Sequence, residues 1–124
     1  MAIGGSSGDD VLFGTPDGDI ISSGSGDDEI YGDQGDDVIS GGSGDDTFYS
    51  ASADGADSYD GAAGIDALMV ETNSDTVVDL VGGTVTAVGE ATDSISEVEV
   101  FFLVAETTIL STAMAAASIA VVRE

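Results

Sequence analysis

The sequence predicts an all-β chain whose short parallel strands wind into a solenoid, followed by a β-rich C-terminal segment. Three observations carry that prediction: a nine-residue internal period, a lone apolar residue at a fixed place in each period, and glycine recurring just ahead of an acidic residue. The units read GSSGDDVLF (5–13), GTPDGDIIS (14–22), SGSGDDEIY (23–31), GDQGDDVIS (32–40) and GGSGDDTFY (41–49). Two extra residues, Ser50 and Ala51, shift the frame before SADGADSYD (52–60), GAAGIDALM (61–69) and a faded VETNSDTVV (70–78).

Each conserved place in the unit has a physical job. The sixth is always aspartate: Asp10, Asp19, Asp28, Asp37, Asp46, Asp57, Asp66 and Asp75. The eighth is always apolar or aromatic: Leu12, Ile21, Ile30, Ile39, Phe48, Tyr59, Leu68 and Val77. The fourth is glycine in six of the eight units, with Asp17 and Asn73 the exceptions. Glycine there allows the positive φ of a tight turn. Side chains alternate across a strand, so a strand at places seven to nine points only its middle residue inward. Six residues of turn and three of strand make half a coil. Two units close a full turn, successive strands fall on opposite sheets, and like strands stack in parallel about 4.8 Å apart.

Such a coil is short of cohesion. One inward side chain per unit contributes only about 1.5–3 kcal/mol, against the ordering of nine residues, several of them glycine. Charge makes matters worse. The chain carries 25 acidic residues against a single basic one, Arg123, for a net charge of −24, and 15 of the acids lie in residues 1–60. Stacked turns therefore place like charges over one another. At 42% hydrophobic residues the chain is nevertheless not a solvated polyanion. The neutralising charge has to come from outside.

The ligand chemistry narrows what that charge is. The chain has no histidine and no cysteine, which leaves carboxylate and carbonyl oxygens. Hard oxygen donors point to calcium before any transition metal, and magnesium is less suitable because it keeps its waters and demands strict octahedral geometry. The spacing is not that of a helix–loop–helix calcium hand, since no D-x-[DN]-x-[DN]-G loop with a twelfth-place glutamate occurs.

These units resemble the RTX (repeats-in-toxin) family, whose pattern is G-G-x-G-x-D-x-U-x. The resemblance implies a parallel β-roll with several structural Ca2+ ions held between turns two repeats apart. By position, Asp10, Asp28 and Asp46 would serve one edge of the roll and Asp19, Asp37 and Asp57 the other, with Asp66 following the frame shift. Carbonyls of the glycine-rich turns, at Gly8, Gly26, Gly35 and Gly44, would complete the sites. Two departures stand out: Asp17 in place of the fourth-place glycine, and the shift at Ser50-Ala51, which is expected to break or bulge the roll. Place five, often asparagine in the family, is aspartate at Asp9, Asp27, Asp36 and Asp45, which raises the charge and the calcium dependence of folding.

Beyond the repeats the pattern changes, giving an expected division into a roll over 1–78 and a second segment over 79–124. In "TVVDLVGGTVTAVG" two β-rich runs flank Gly82-Gly83, a hairpin signal. Ile95, Val98, Val100 and Phe102 suggest further strands. The stretch 64–100 is loosely similar to the non-repeat segment that often follows RTX arrays. Residues 100–122 contain a single charge, Glu106. Three roles are open for them: a cap over the end of the roll, a surface for self-association or docking on a larger assembly, and an uncleaved type I secretion signal. Residues 113–122 suit a strand or a short helix.

Several function classes are disfavoured. With no cationic surface, neither nucleic acid nor an anionic membrane is an expected partner. No His, Cys or Lys is present to act as base or nucleophile, and regularly spaced acids committed to metal do not make a paired-carboxylate active site, so no enzyme is expected. The start of the chain lacks a basic and apolar leader, so an N-terminal signal peptide is not expected. The expectation is a small calcium-binding structural or assembly module, extracellular or on a surface such as a surface layer, matrix or virion. The alternative is the calcium-binding, type I secretion module of a larger exported enzyme, toxin or adhesin.

Overall fold

A computed structural model describes residues 1–51, 55–71, 76–79, 83–87, 91–98, 100–104, 108–111 and 118–122. Among them the chain is all strand, with no helix. The strands, in chain order, are β1 (Ala2–Gly4), β2 (Val11–Phe13), β3 (Ile20–Ser25), β4 (Glu29–Tyr31), β5 (Val38–Ser43), β6 (Thr47–Ala51) and β7 (Ser58–Ala63). They continue as β8 (Ala67–Glu71), β9 (Thr76–Asp79), β10 (Thr84–Ala87), β11 (Thr92–Ser96), β12 (Val100–Val104), β13 (Thr108–Ser111) and β14 (Ser118–Val122). Successive strands from β1 to β8 alternate between two sheets, ordered β1-β3-β5-β7-β11-β10-β9-β13 and β14-β12-β8-β6-β4-β2. This is the expected parallel solenoid, a β-roll of about four turns.

The register follows the period. Ile21 pairs with Ile39 and Ile30 with Phe48, each eighteen residues apart in sequence. After the frame shift the offset becomes twenty: Ile39 pairs with Tyr59 and Phe48 with Leu68. The roll is therefore not broken at Ser50-Ala51. Strand pairing stays in register on both sides, and Ser50 and Ala51 lengthen β6 itself, pairing with Val70 and Glu71.

Alternate residues of each strand build the core, one per strand from β3 to β7 and two in β8, Leu68 and Val70. Ile21, Ile30, Ile39, Phe48, Tyr59 and Leu68 are all at most 1% exposed. Leu12, in the edge strand β2, is only partly buried. The Phe48 and Tyr59 rings meet across the core at 5.6 Å and 55°. Flanking places face outward, and there Phe13, Tyr31 and Tyr49 stack as a ladder with centroids 4.8 and 4.3 Å apart.

The eighth unit departs from expectation. β9, which contains Val77, does not stack on β7; it pairs antiparallel with β10 and parallel with β13. The next strand of the roll is β11, which lies parallel on β7 with Ile95 opposite Tyr59. The hairpin expected around Gly82-Gly83 thus forms, but as an insertion between two turns of the roll. Parallel stacking continues past residue 78, with β12 on β8 and β14 on β12. Ser118–Val122 is strand and not helix.

Candidate metal centre

The sixth-place aspartates line the two edges of the roll and are its most buried charges. Asp19, Asp28, Asp37, Asp46, Asp57 and Asp66 are all between 0 and 3% exposed. Asp10, in the first turn, is part-buried. Burial on this scale requires partners, and the backbone provides most of them.

Each carboxylate reaches back to the turn two units earlier. On one edge the amide of Asp10 donates to Asp28 Oδ1 (2.7 Å), that of Asp28 to Asp46 Oδ1 (3.0 Å) and that of Asp46 to Asp66 Oδ1 (2.9 Å). On the other, Asp19 donates to Asp37 Oδ1 (2.8 Å) and Asp37 to Asp57 Oδ1 (2.9 Å). The main-chain carbonyl of the same aspartate takes the next turn's strand: Thr47 donates to Asp28 and Ala67 to Asp46, both at 2.8 Å. For an interior aspartate the N–H, the C=O and Oδ1 are thus spent on stacking. Oδ2 remains.

The fate of Oδ2 differs along the roll. In the first turn Ser6 donates its amide to Asp10 Oδ2 (2.5 Å), and Thr15 donates both amide (2.6 Å) and hydroxyl (2.9 Å) to Asp19 Oδ2. Further in, Asp28 Oδ2 and Asp46 Oδ2 are buried with no hydrogen-bond donor. Glycine in the first place makes room for this oxygen: a Cβ on Gly41 would collide with Asp46 Oδ2. A buried carboxylate oxygen without a donor is expensive unless a cation meets it.

The electrostatics agree. Burial, reinforced by the charges of Asp66, Asp28 and Asp27, pushes Asp46 up to about 6 even though the Asp28 amide pulls it down. Burial also raises Asp57, opposed by the Asp37 amide and the Tyr59 hydroxyl. Asp19 moves the other way, held below the usual carboxylate range by the Met1 nitrogen beside it, 2.9 Å from Oδ1.

A second ladder was not legible in the sequence, where the fifth-place acids suggested charge alone. Asp9 Oδ1 accepts from the Asp27 amide and Asp27 Oδ1 from the Asp45 amide, both at 2.9 Å; Asp36 Oδ1 accepts from Ala56 (3.0 Å) and Asp45 Oδ1 from Ile65 (2.9 Å). These exposed carboxylates reach forward one turn while the buried ones reach back. Consecutive turns are clasped from both sides.

The structure also adds a residue to the buried ladder. Asp57 donates its amide to Asp93 Oδ1 (3.0 Å), and Asp93 is 6% exposed. Asp93 continues this edge; Asp75 lies outside the described residues. The signal available was the D-x-U triplet Asp93-Ser94-Ile95, stripped of its preceding glycine.

The fourth-place residues Gly26, Gly35 and Gly44 have φ of 116°, 106° and 119°. At Gly44 a Cβ would also strike the carbonyl of Gly26 in the turn below. Gly8, in the first turn, has open space around it. Among the described residues no three acidic side chains converge on one point, so a cation here would draw on one carboxylate per turn together with carbonyl oxygens. Hard oxygens, a stack of like charges and donor-less buried Oδ2 atoms fit calcium.

Residues 4–39 and 24–53 match the family model of the RTX calcium-binding nonapeptide repeat, four copies. Residues 4–53 form an RTX repeat array. Its repeats bind Ca2+ in the β-roll, several ions in a structural role. A search of curated proteins returned no match to the chain.

Proposed function

We propose that the chain is a structural, non-catalytic module whose folding is gated by external calcium, with Asp28 and Asp46 the leading carboxylate ligands, Asp37 and Asp66 at equivalent places, and the carbonyls of Gly26, Gly35 and Gly44 beside them. Asp10, Asp19 and Asp57 occupy equivalent places with internal donors already on Oδ2. The observation that carries this reading is the buried Oδ2 of Asp28 and of Asp46, each lacking a hydrogen-bond donor within a stack of like charges. When bound, calcium supplies the positive charge and oxygen coordination that the stacked turns lack. The chain's own groups do the rest: Oδ1 fixes each carboxylate to the preceding turn, and the inward residues bury as the turns close.

RTX repeats are typical of exported proteins, and extracellular modules bind calcium with Kd of about 10⁻⁴–10⁻³ M. That range makes the fold respond to passage from a low-calcium to a high-calcium compartment. A rigid building block on a surface layer, matrix or particle uses this response directly. Service as the calcium-binding part of a larger exported protein is the second reading. The experiment is a calcium titration followed by far-UV circular dichroism, with magnesium as the control.

A further inference from the structure

Tyr59 is the only hydroxyl-bearing residue at the eighth place of the units from Gly5 to Met69; its counterparts are Leu12, Ile21, Ile30, Ile39, Phe48 and Leu68. Its ring suits the core, packed against Phe48. Its hydroxyl needs a polar partner, as a buried phenol does. The partner is Asp57: Tyr59 donates to Asp57 Oδ2 at 2.9 Å, and both residues are at most 3% exposed.

The next rung on the same edge is closed in the same manner. Ser50 donates its hydroxyl to Asp93 Oδ2 at 3.3 Å in a buried contact. Ser50 is one of the two residues that shift the repeat frame. The irregularity in the sequence therefore coincides with a hydroxyl delivered to a ladder carboxylate. Opposite, where the inward residues following Asp28 and Asp46 are Ile30 and Phe48, Oδ2 has no such donor.

Resting on the reading that ladder carboxylates hold calcium, we infer that the Asp57 and Asp93 rungs are exempt from it: the Tyr59 and Ser50 hydroxyls take the oxygen that Asp28 and Asp46 offer to a cation. The array is thus uneven. Its C-terminal end on this edge is closed by the protein, as the first turn is by Ser6 and Thr15 at Asp10 and Asp19, and its demand for calcium is concentrated at the Asp28 and Asp46 rungs between them. This gives the roll a metal-independent end from which the calcium-dependent turns can stack.

The test is calcium stoichiometry by equilibrium dialysis on the whole chain, with circular dichroism at saturating calcium to report folding. Four proteins are compared: wild type, Asp46→Asn, Asp57→Asn and Tyr59→Phe. Asp46→Asn is expected to lose about one ion per chain and Asp57→Asn to lose none. Tyr59→Phe, which bares Asp57 Oδ2, is expected to fold at saturating calcium and gain about one. Asp57→Asn losing as much as Asp46→Asn overturns the inference. So does Tyr59→Phe that folds without gaining an ion, or that stays unfolded at saturating calcium, since then no cation replaces the phenol. A wild type that binds no calcium, or an Asp46→Asn variant that loses none, overturns the underlying assignment and the inference with it.

Discussion

Asp46 does two separable things, and paired substitutions pull them apart. Its Oδ1 accepts from the Asp28 amide at 3.0 Å, and its Oδ2 is buried without a donor. Asp46→Ala removes both and leaves the Asp28 N–H unpaired in a buried turn, which costs about 1–3 kcal/mol. Asp46→Asn keeps an acceptor for that N–H and removes the charge. Without calcium the charge is a burden, since burial and the neighbouring acids hold Asp46 at about 6. A carboxyl raised above its unfolded value near 3.8 contributes stability that is full below that value and lost as pH rises through about 6. At pH 7 the charge therefore opposes folding. In chelator, with trimethylamine N-oxide added to drive folding of the metal-free chain, the midpoint osmolyte concentration should rank Asp46→Asn lowest, wild type next and Asp46→Ala highest. The gap between wild type and Asp46→Asn should narrow as pH falls through about 6 and close only below about 3.8, where the carboxyl is neutral in the unfolded chain as well. In calcium the order changes: wild type becomes the most stable, and Asp46→Asn needs at least about tenfold more calcium to fold, as expected when a ligand charge is lost. An Asp46→Asn chain that is harder to fold than wild type in chelator at pH 7 would refute this division of roles.

Two further pairs of substitutions probe the turn and the core. Gly44→Ala sets a Cβ against the Gly26 carbonyl at φ 119°, so it should destabilise the calcium-loaded roll by about 1–3 kcal/mol in a thermal melt, whereas Gly8→Ala, with open space around it, should change little. Phe48→Ala deletes a fully buried ring and should cost about 3–5 kcal/mol in urea unfolding; Phe13→Ala, 64% exposed and touching Tyr31 on the outer ladder, should cost about 1 kcal/mol.

The legible parts of the molecule are those where one residue type is forced by geometry. Asp28 and Ile30 could be assigned from the sequence because a strand with one inward place and a turn with one buried carboxylate repeat without exception over 5–49. The continuation at Asp93 and Ile95 was not legible, because thirty-six residues and a hairpin separate Asp57 from Asp93 and no glycine marks the turn. Register across that gap is set by strand pairing between β7 and β11, which is a tertiary fact. The forward ladder of Asp9, Asp27, Asp36 and Asp45 was hidden for another reason: an exposed aspartate clasping an amide one turn on has the same composition as one that is merely solvated. The frame shift at Ser50-Ala51 looked like a break because a period counts residues, whereas stacking counts paired strands, and β6 runs two residues longer, pairing them with Val70 and Glu71, without disturbing the register of either sheet.

The central claim is that an external cation, not the chain itself, closes this stack of carboxylates. The most direct test is to titrate calcium into the chelator-treated chain while following far-UV circular dichroism. A disordered spectrum that converts cooperatively to a β-spectrum near about 10⁻⁴–10⁻³ M calcium, and not with equal magnesium, is the predicted result. A full β-spectrum in excess chelator, or equal folding by magnesium, would contradict it.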